Sequence, residues 1–124
     1  MGVIIEFLAV GPNSLATPLP ADAHAAVNAT GAVQVAVISI NSHKVGDVYG
    51  VLAASPLSAL AGDANTPERA TLVAGADFNV LLAFAAGLKV ATVPDEAFRD
   101  LSDAIDDAVR EARWRRCDLL IVAT

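Results

Sequence analysis

Residues 33–40 have the sequence Val-Gln-Val-Ala-Val-Ile-Ser-Ile, the clearest strand pattern in the chain. Its β-branched residues favour an extended strand, and only Gln34 and Ser39 interrupt the apolar run. A strand with so little polar alternation is typical of a sheet that is covered on both faces. We therefore predict a buried strand over Val33–Ile40, with a layer of structure on each side of it.

The rest of the chain supplies further strands and helices. Strands are predicted over residues 3–10, 48–54, 88–93 and 118–123, and helices over 21–29, 67–87 and 94–116. This order predicts a single α/β domain over residues 1–124, built in three layers, with a mixed, mostly buried sheet of about five strands and helices on both faces. The alternative is a ferredoxin-like α+β domain, in which a βαββαβ core is followed by an appended helix and strand.

Residues 48–54 fit two kinds of structure. Val48, Tyr49 and Val51 favour a strand, which would pair back through a hairpin turn over residues 41–47, and Gly50 weakens a helix. The alanines and the leucine of the same segment also permit a helix. We favour the strand and keep the helix as its alternative.

The strongest helical pattern lies over residues 94–116. Apolar residues recur there at spacings of three and four, namely Phe98, Leu101, Ile105, Ala108, Val109 and Ala112. Acidic residues come first and arginines last, which complements the helix dipole at both ends. The pattern predicts a surface helix that lays its apolar side on the sheet.

Composition excludes several classes of protein. Of the 124 residues, 55% are hydrophobic, which excludes intrinsic disorder. A net charge of −6 disfavours nucleic acid as a partner. Cys117 is the one cysteine, so no intrachain disulfide can form. The first ten residues lack the basic start of a secretory signal, and we expect a cytoplasmic location.

Residues 67–87 are apolar around most of a helical circumference. Asp77 opposes a membrane span, because a carboxylate at a helix centre costs about 2.5–3.5 kcal/mol on insertion, so no membrane partner is expected. The helix would lie either within the monomer or against a partner subunit. A small domain has little interior, and we therefore expect a homo-oligomer formed through this helix. Asp77 and Asn79 would then need hydrogen-bonding partners in a loop, a pocket or the subunit interface.

The candidate functional site lies over residues 41–49. His43 suits general acid–base chemistry and Lys44 could hold an anionic group, with Asp47 and Tyr49 close by in the sequence. These four residues are our candidate catalytic residues, placed where ligands bind beyond the carboxyl ends of parallel strands. The same residue types are also those of an ordinary solvated turn.

No metal or cofactor is predicted. The two histidines, His24 and His43, lack the spacing of metal ligands, and no glycine-rich phosphate loop or serine nucleophile motif is present. Two functions remain. One is a small-molecule site for an anionic metabolite in an oligomeric domain, and the other is a non-catalytic homo-oligomeric structural or assembly protein. Whether the protein is an enzyme stays open.

Overall fold

The computed structural model describes residues 3–11, 32–41, 45–53, 55, 57, 69–89 and 96–123. The strands are β1 (Val3–Val10), β2 (Val33–Ile40), β3 (Arg69–Val73) and β4 (Asp118–Ala123). The helices are α1 (Val45–Ala53), α2 (Phe78–Lys89) and α3 (Glu96–Arg115), and a 3₁₀ turn over Gly75–Asp77 leads into α2. The described elements form an α+β fold.

The four described strands form one sheet in the order β2-β1-β4-β3. Each neighbouring pair is antiparallel, with Val3 opposite Ile40 between β1 and β2, and Ile5 opposite Ala123 between β1 and β4. The described sheet is therefore antiparallel rather than mixed, and the prediction of about five strands is not confirmed. Strands β1 and β4 are central, and β2 and β3 form its two edges.

A β-bulge interrupts the pairing of β2 with β1. Phe7 lies opposite Ala36 and Leu8 lies opposite Gln34, so Val35 is an extra residue of β2. A bulge of this kind bends its strand and increases the local twist. Residues 36–40 remain as a regular segment at this edge of the sheet.

The described helices pack on one face of the sheet. Ile5 and Phe7 of β1 share a single core cluster with buried residues of all three helices, among them Leu52, Leu81 and Ile105. A second apolar cluster lies on the opposite face and contains Leu8, Val10, Leu120 and Val122. No helix of the described residues belongs to that second cluster, and the predicted three-layer arrangement is not confirmed.

Strand β2 is less buried than its sequence predicts. Val33 and Val37 are 45% and 49% exposed, and Ile40 is buried at the end of the strand. The prediction that this strand is covered on both faces is wrong. Strand β2 is an edge strand of the described sheet, so its side chains have a neighbouring strand on one side only.

Residues 45–53 form α1, so the predicted strand over 48–54 is wrong and its helical alternative is correct. Val48 and Leu52 lie one turn apart and are fully buried in the core, which outweighs the β-propensity of the segment. The Ser55 hydroxyl donates to the Leu52 carbonyl oxygen at 2.7 Å just beyond the helix. The ferredoxin-like alternative needs a hairpin here, and its element order is not observed.

The predicted single helix over residues 67–87 is also wrong. Arg69–Val73 is β3, whose Val73 lies opposite Leu119 of β4, and the helix begins at Phe78. The long apolar run therefore forms two elements, a strand that pairs within the sheet and a helix that packs on the core. Leu88 and Lys89 end α2 and do not begin the predicted strand, whose residues 90–93 lie outside the described part of the chain.

The prediction for the terminal helix and strand is confirmed. Helix α3 buries the predicted apolar side and ends in a Schellman motif, with Arg116 at a φ of 56°. The Cys117 N–H donates to the Ala112 carbonyl oxygen at 2.8 Å, and the Arg116 N–H donates to that of Arg113 at 3.1 Å. This tight turn leads directly into β4. The helix predicted over residues 21–29 lies outside the described residues.

Candidate functional site

Two of the four predicted catalytic residues, His43 and Lys44, lie outside the described residues. Asp47 is exposed in the first turn of α1, where a carboxylate complements the positive end of the helix dipole. Tyr49 belongs to the same helix, and its side chain is outside the described part. A small-molecule site over residues 41–49 therefore stays a prediction.

The antiparallel sheet changes where the predicted loops lie. Gly11 follows β1 and Asn41 follows β2, and these neighbouring strands run in opposite directions. The two segments therefore leave the sheet at opposite ends. The prediction that residues 41–49 lie beyond the carboxyl ends of parallel strands is wrong for the described sheet, because that sheet contains no parallel neighbours.

Asp77 and Asn79 are exposed and not buried in an apolar helix. Asp77 belongs to the 3₁₀ turn, and Asn79 is in the first turn of α2. The Asn79 side-chain oxygen accepts a hydrogen bond from the Arg113 guanidinium of α3 at 2.8 Å. Asp77 and Asn79 are polar because the helix begins at Phe78, which places both residues at its exposed start.

The edge of the sheet at β3 adjoins an uncharged side of α2. The exposed residues of this helix include Val80, Ala83, Ala86 and Gly87, and we call this surface the α2 outer face. A concavity of about 260 Å³ lies between the helix and the strand, and we call it the β3 cleft. The β3 cleft is lined by Thr71, Leu72, Val73, Asp77, Val80 and Leu81. Asp77 is the one charged residue in that lining.

The opposite edge of the sheet, at β2, adjoins the charged side of α3. Two neighbouring concavities of about 480 and 400 Å³ lie between them and share Val35 and Asp107, and together we call them the β2 groove. Its larger part is lined by residues 35–39 of β2 and by Asp100, Asp103, Ala104 and Asp107 of α3. The carboxylates in this lining are not matched by any basic residue of the same lining. The sequence predicts a surface helix and a buried strand here and does not predict the groove between them.

The charges at the other end of the β2 groove are balanced. Asp107 forms an ion pair with Arg110, and Glu111 lies 3.7 Å from Arg115 in a second pair. All four residues line the smaller concavity beside Gln34 and Val35. The carboxylate of the groove without a basic partner among the described residues is therefore Asp100, because Asp103 lies 3.7 Å from Lys89.

Helices α2 and α3 are joined by polar contacts as well as by the core. The buried Ser102 hydroxyl of α3 donates to the Ala85 carbonyl oxygen of α2 at 2.7 Å. Lys89 of α2 donates to Asp106 at 2.5 Å and lies 3.7 Å from Asp103. The hydrogen bond to Asp106 is the main cause that raises the pKa of Lys89 above its ordinary value of 10.5. Lys89 therefore stays charged beside the acidic side of α3.

Neither a metal-binding cluster nor a membrane-spanning helix occurs among the described residues. No group of three or more His, Cys, Asp or Glu side chains among them is arranged to hold a metal ion. None of the helices in the described ranges has both the length and the hydropathy of a membrane span. Both findings concern only the part of the chain that the structure describes.

Comparison with known proteins identifies no relative. No family model matches the sequence, and neither the curated proteins nor the solved structures include a significant match.

Proposed function

We propose that this chain is a non-catalytic homo-oligomeric assembly protein, whose copies associate through the β3 cleft and the α2 outer face. The proposal is supported by one edge of the sheet, where a strand edge, a concavity with Asp77 as its single charged lining residue and an apolar helix side lie next to each other. Val80 lies in both the cleft lining and the helix face and is 53% exposed. Contiguous exposed apolar surface of this kind is typical of an interface.

A second copy of the chain is the occupant that fits this surface best. At a net charge of −6, copies repel one another in general, and the repulsion is weakest where the contact surfaces carry little charge. In a two-fold dimer each surface meets its own copy, so an uncharged surface is self-complementary in charge. The α2 outer face satisfies this condition from Val80 to Gly87.

Strand β3 supplies a second element of the same contact. It is an edge strand of the described sheet, and five residues of its backbone run beside the cleft. Antiparallel pairing of two β3 edges about a two-fold axis would continue the sheet from one copy into the next. The small residues Ala83 and Gly87 would let two α2 helices approach closely on the same side. The proposed contact differs from the one that the sequence predicts. It uses β3 and α2, whereas the sequence predicts association through a single helix over residues 67–87.

The test compares two valines of similar exposure at opposite edges of the sheet. Val80→Lys places a charge in the proposed contact, whereas Val37→Lys, at a residue that is 49% exposed on β2, is the matched control. We expect sedimentation at micromolar concentration to show an oligomer for the original chain and for Val37→Lys, and a monomer for Val80→Lys. Urea unfolding of both variants checks that the fold is retained.

Two outcomes contradict the proposal. A monomeric original chain at micromolar concentration would show that the surface does not mediate association. An oligomer that is lost in Val37→Lys and kept in Val80→Lys would place the contact at β2 instead.

A further inference from the structure

The β2 edge of the sheet differs from the β3 edge in a way that indicates another partner. Strand β2 contains no charged residue and no proline, which are common means of protecting an edge strand from pairing. Its bulge at Val35 protects only one part of it and leaves residues 36–40 regular. No described strand lies beyond β2, so this segment offers backbone groups for pairing with an added strand.

The charge of the β2 groove argues against a second copy as that strand. Antiparallel pairing of two β2 edges about a two-fold axis would place both α3 helices on the same side of the joined sheet. Asp100, Asp103 and Asp107 of one copy would then face the same residues of the other across the junction. Like charges across an interface disfavour the pairing.

The same carboxylates favour a basic strand. Asp100 and Asp103 line the groove beside residues 35–39. Asp103 lies 3.7 Å from Lys89 and Asp107 is paired with Arg110, whereas no described residue forms an ion pair with Asp100. At a rise of 1.5 Å per residue, Asp100 and Asp107 lie about 10.5 Å apart along the axis of α3. Residues on one side of an extended peptide recur every 6.8 Å or so, so two or three of them span that row.

We propose that the β2 groove binds an extended basic peptide segment, which adds a fifth strand to the sheet at β2 and directs lysine or arginine side chains at alternate positions toward Asp100, Asp103 and Asp107. Backbone hydrogen bonds to residues 36–40 supply the pairing, and the carboxylates select for positive charge. The exposed Val37 provides an apolar contact on the opposite side of the added strand. This surface and this partner are separate from the self-association at β3.

The experiment measures binding of a fluorescent eight-residue peptide with Lys at alternate positions and Thr between them, by anisotropy at low salt. One control peptide has Glu in place of each Lys. A second keeps every Lys but has Pro at two central positions, which keeps the charge and removes donors needed for strand pairing. We expect saturable binding of the first peptide, at least tenfold weaker binding of the proline peptide and no binding of the glutamate peptide.

Variants of the protein locate the site. Asp100→Asn combined with Asp103→Asn removes two carboxylates of the groove, and we expect the affinity to fall fivefold to tenfold. The matched control is Glu6→Gln combined with Glu96→Gln, two carboxylates outside the linings of both the β2 groove and the β3 cleft, for which we expect less than a twofold change. Circular dichroism of each variant confirms that it is folded.

Each contrary result overturns the proposal in a distinct way. Equal binding of the proline and the original lysine peptides would show general attraction to an acidic protein without strand addition. An equal loss in the two double variants would show that net charge, and not the groove, determines binding. Association of the chain that is abolished by Val37→Lys would identify a second copy as the occupant of the β2 edge, and absence of binding would remove the site altogether.

Discussion

The two edges of the sheet are built alike and differ in charge. At each edge a strand lies beside one helix of the same layer, β3 beside α2 and β2 beside α3, and a concavity separates the two. The α2 outer face is uncharged from Val80 to Gly87, whereas α3 presents Asp100, Asp103 and Asp107 to its groove. The difference suggests that charge on the flanking helix determines whether a strand edge pairs with a copy of itself or with a basic partner.

The largest expected change in unfolding free energy comes from a substitution on the buried side of α2, compared with one on its exposed side. Leu81 is buried in the core, whereas its neighbour Val80 is half exposed. We expect Leu81→Ala to lower the free energy of unfolding by about 2–5 kcal/mol, because it removes core contacts and leaves a cavity. Val80→Ala should change it by less than about 0.5 kcal/mol in the dissociated chain.

The measurement is urea unfolding followed by circular dichroism at low protein concentration. The fluorescence of the single tryptophan is a poor probe, because Trp114 is 80% exposed in the folded chain. Similar losses in the two alanine variants would show that the described burial of α2 is wrong.

A smaller effect is expected where the two flanking helices are joined. Ser102→Ala removes the hydrogen bond to the Ala85 carbonyl oxygen, and we expect a loss of about 0.5–1.5 kcal/mol in unfolding free energy. Ser39→Ala, at an exposed serine of β2, is the control and should lie within about 0.5 kcal/mol of the original chain. If the two serines give the same result in urea unfolding, the buried hydrogen bond does not stabilise the helix pair.

The smallest effect is expected at Lys89, which ends α2 and reaches the acidic side of α3. Because the folded pKa of Lys89 is raised, its ion pairs stabilise the fold fully below the unfolded pKa, and this contribution is lost as the pH rises through the folded value. Lys89→Met should therefore unfold at slightly lower urea than the original chain near neutral pH, and the difference should shrink above pH 10.5.

Salt provides the check on this last prediction. The Lys89 side chain is exposed enough for salt to screen its attraction to Asp103 and Asp106, so the difference between the two chains should also shrink as salt is added. A difference that persists unchanged at high salt would assign the effect to packing of the lysine methylene groups.

Local sequence patterns predicted the elements that have either a clear helical spacing or a continuous apolar run. The spacing of Leu101, Ile105 and Ala112 identified α3, and the apolar runs identified β1, β2 and β4 with the bounds that the structure has. The three errors, at residues 45–53, 69–73 and 88–89, concern short segments whose residue types permit both a helix and a strand. Their state depends on contacts with Leu119 and the rest of the core, which no local pattern contains.

The surfaces were harder to predict than the elements. The sequence predicts both the charged outer side of α3 and the uncharged strand β2. Only the order of strands in the sheet shows that the two lie together at one edge. The candidate site over residues 41–49 rested on a parallel arrangement of strands that the described sheet does not have. Strand direction is set by pairing between distant segments, and residue types within a loop carry no information about it.

The pairing of Ile5 with Ala123 has a consequence for biosynthesis. Strand β1 is translated long before β4, so the central ladder cannot close until β4 has been translated. Closing a loop of that length costs entropy before any contact offsets it, which slows this step of folding. Until the last strand emerges, the nascent chain carries an apolar β1 that lacks one of its two neighbours, and a cell must keep that segment from aggregating.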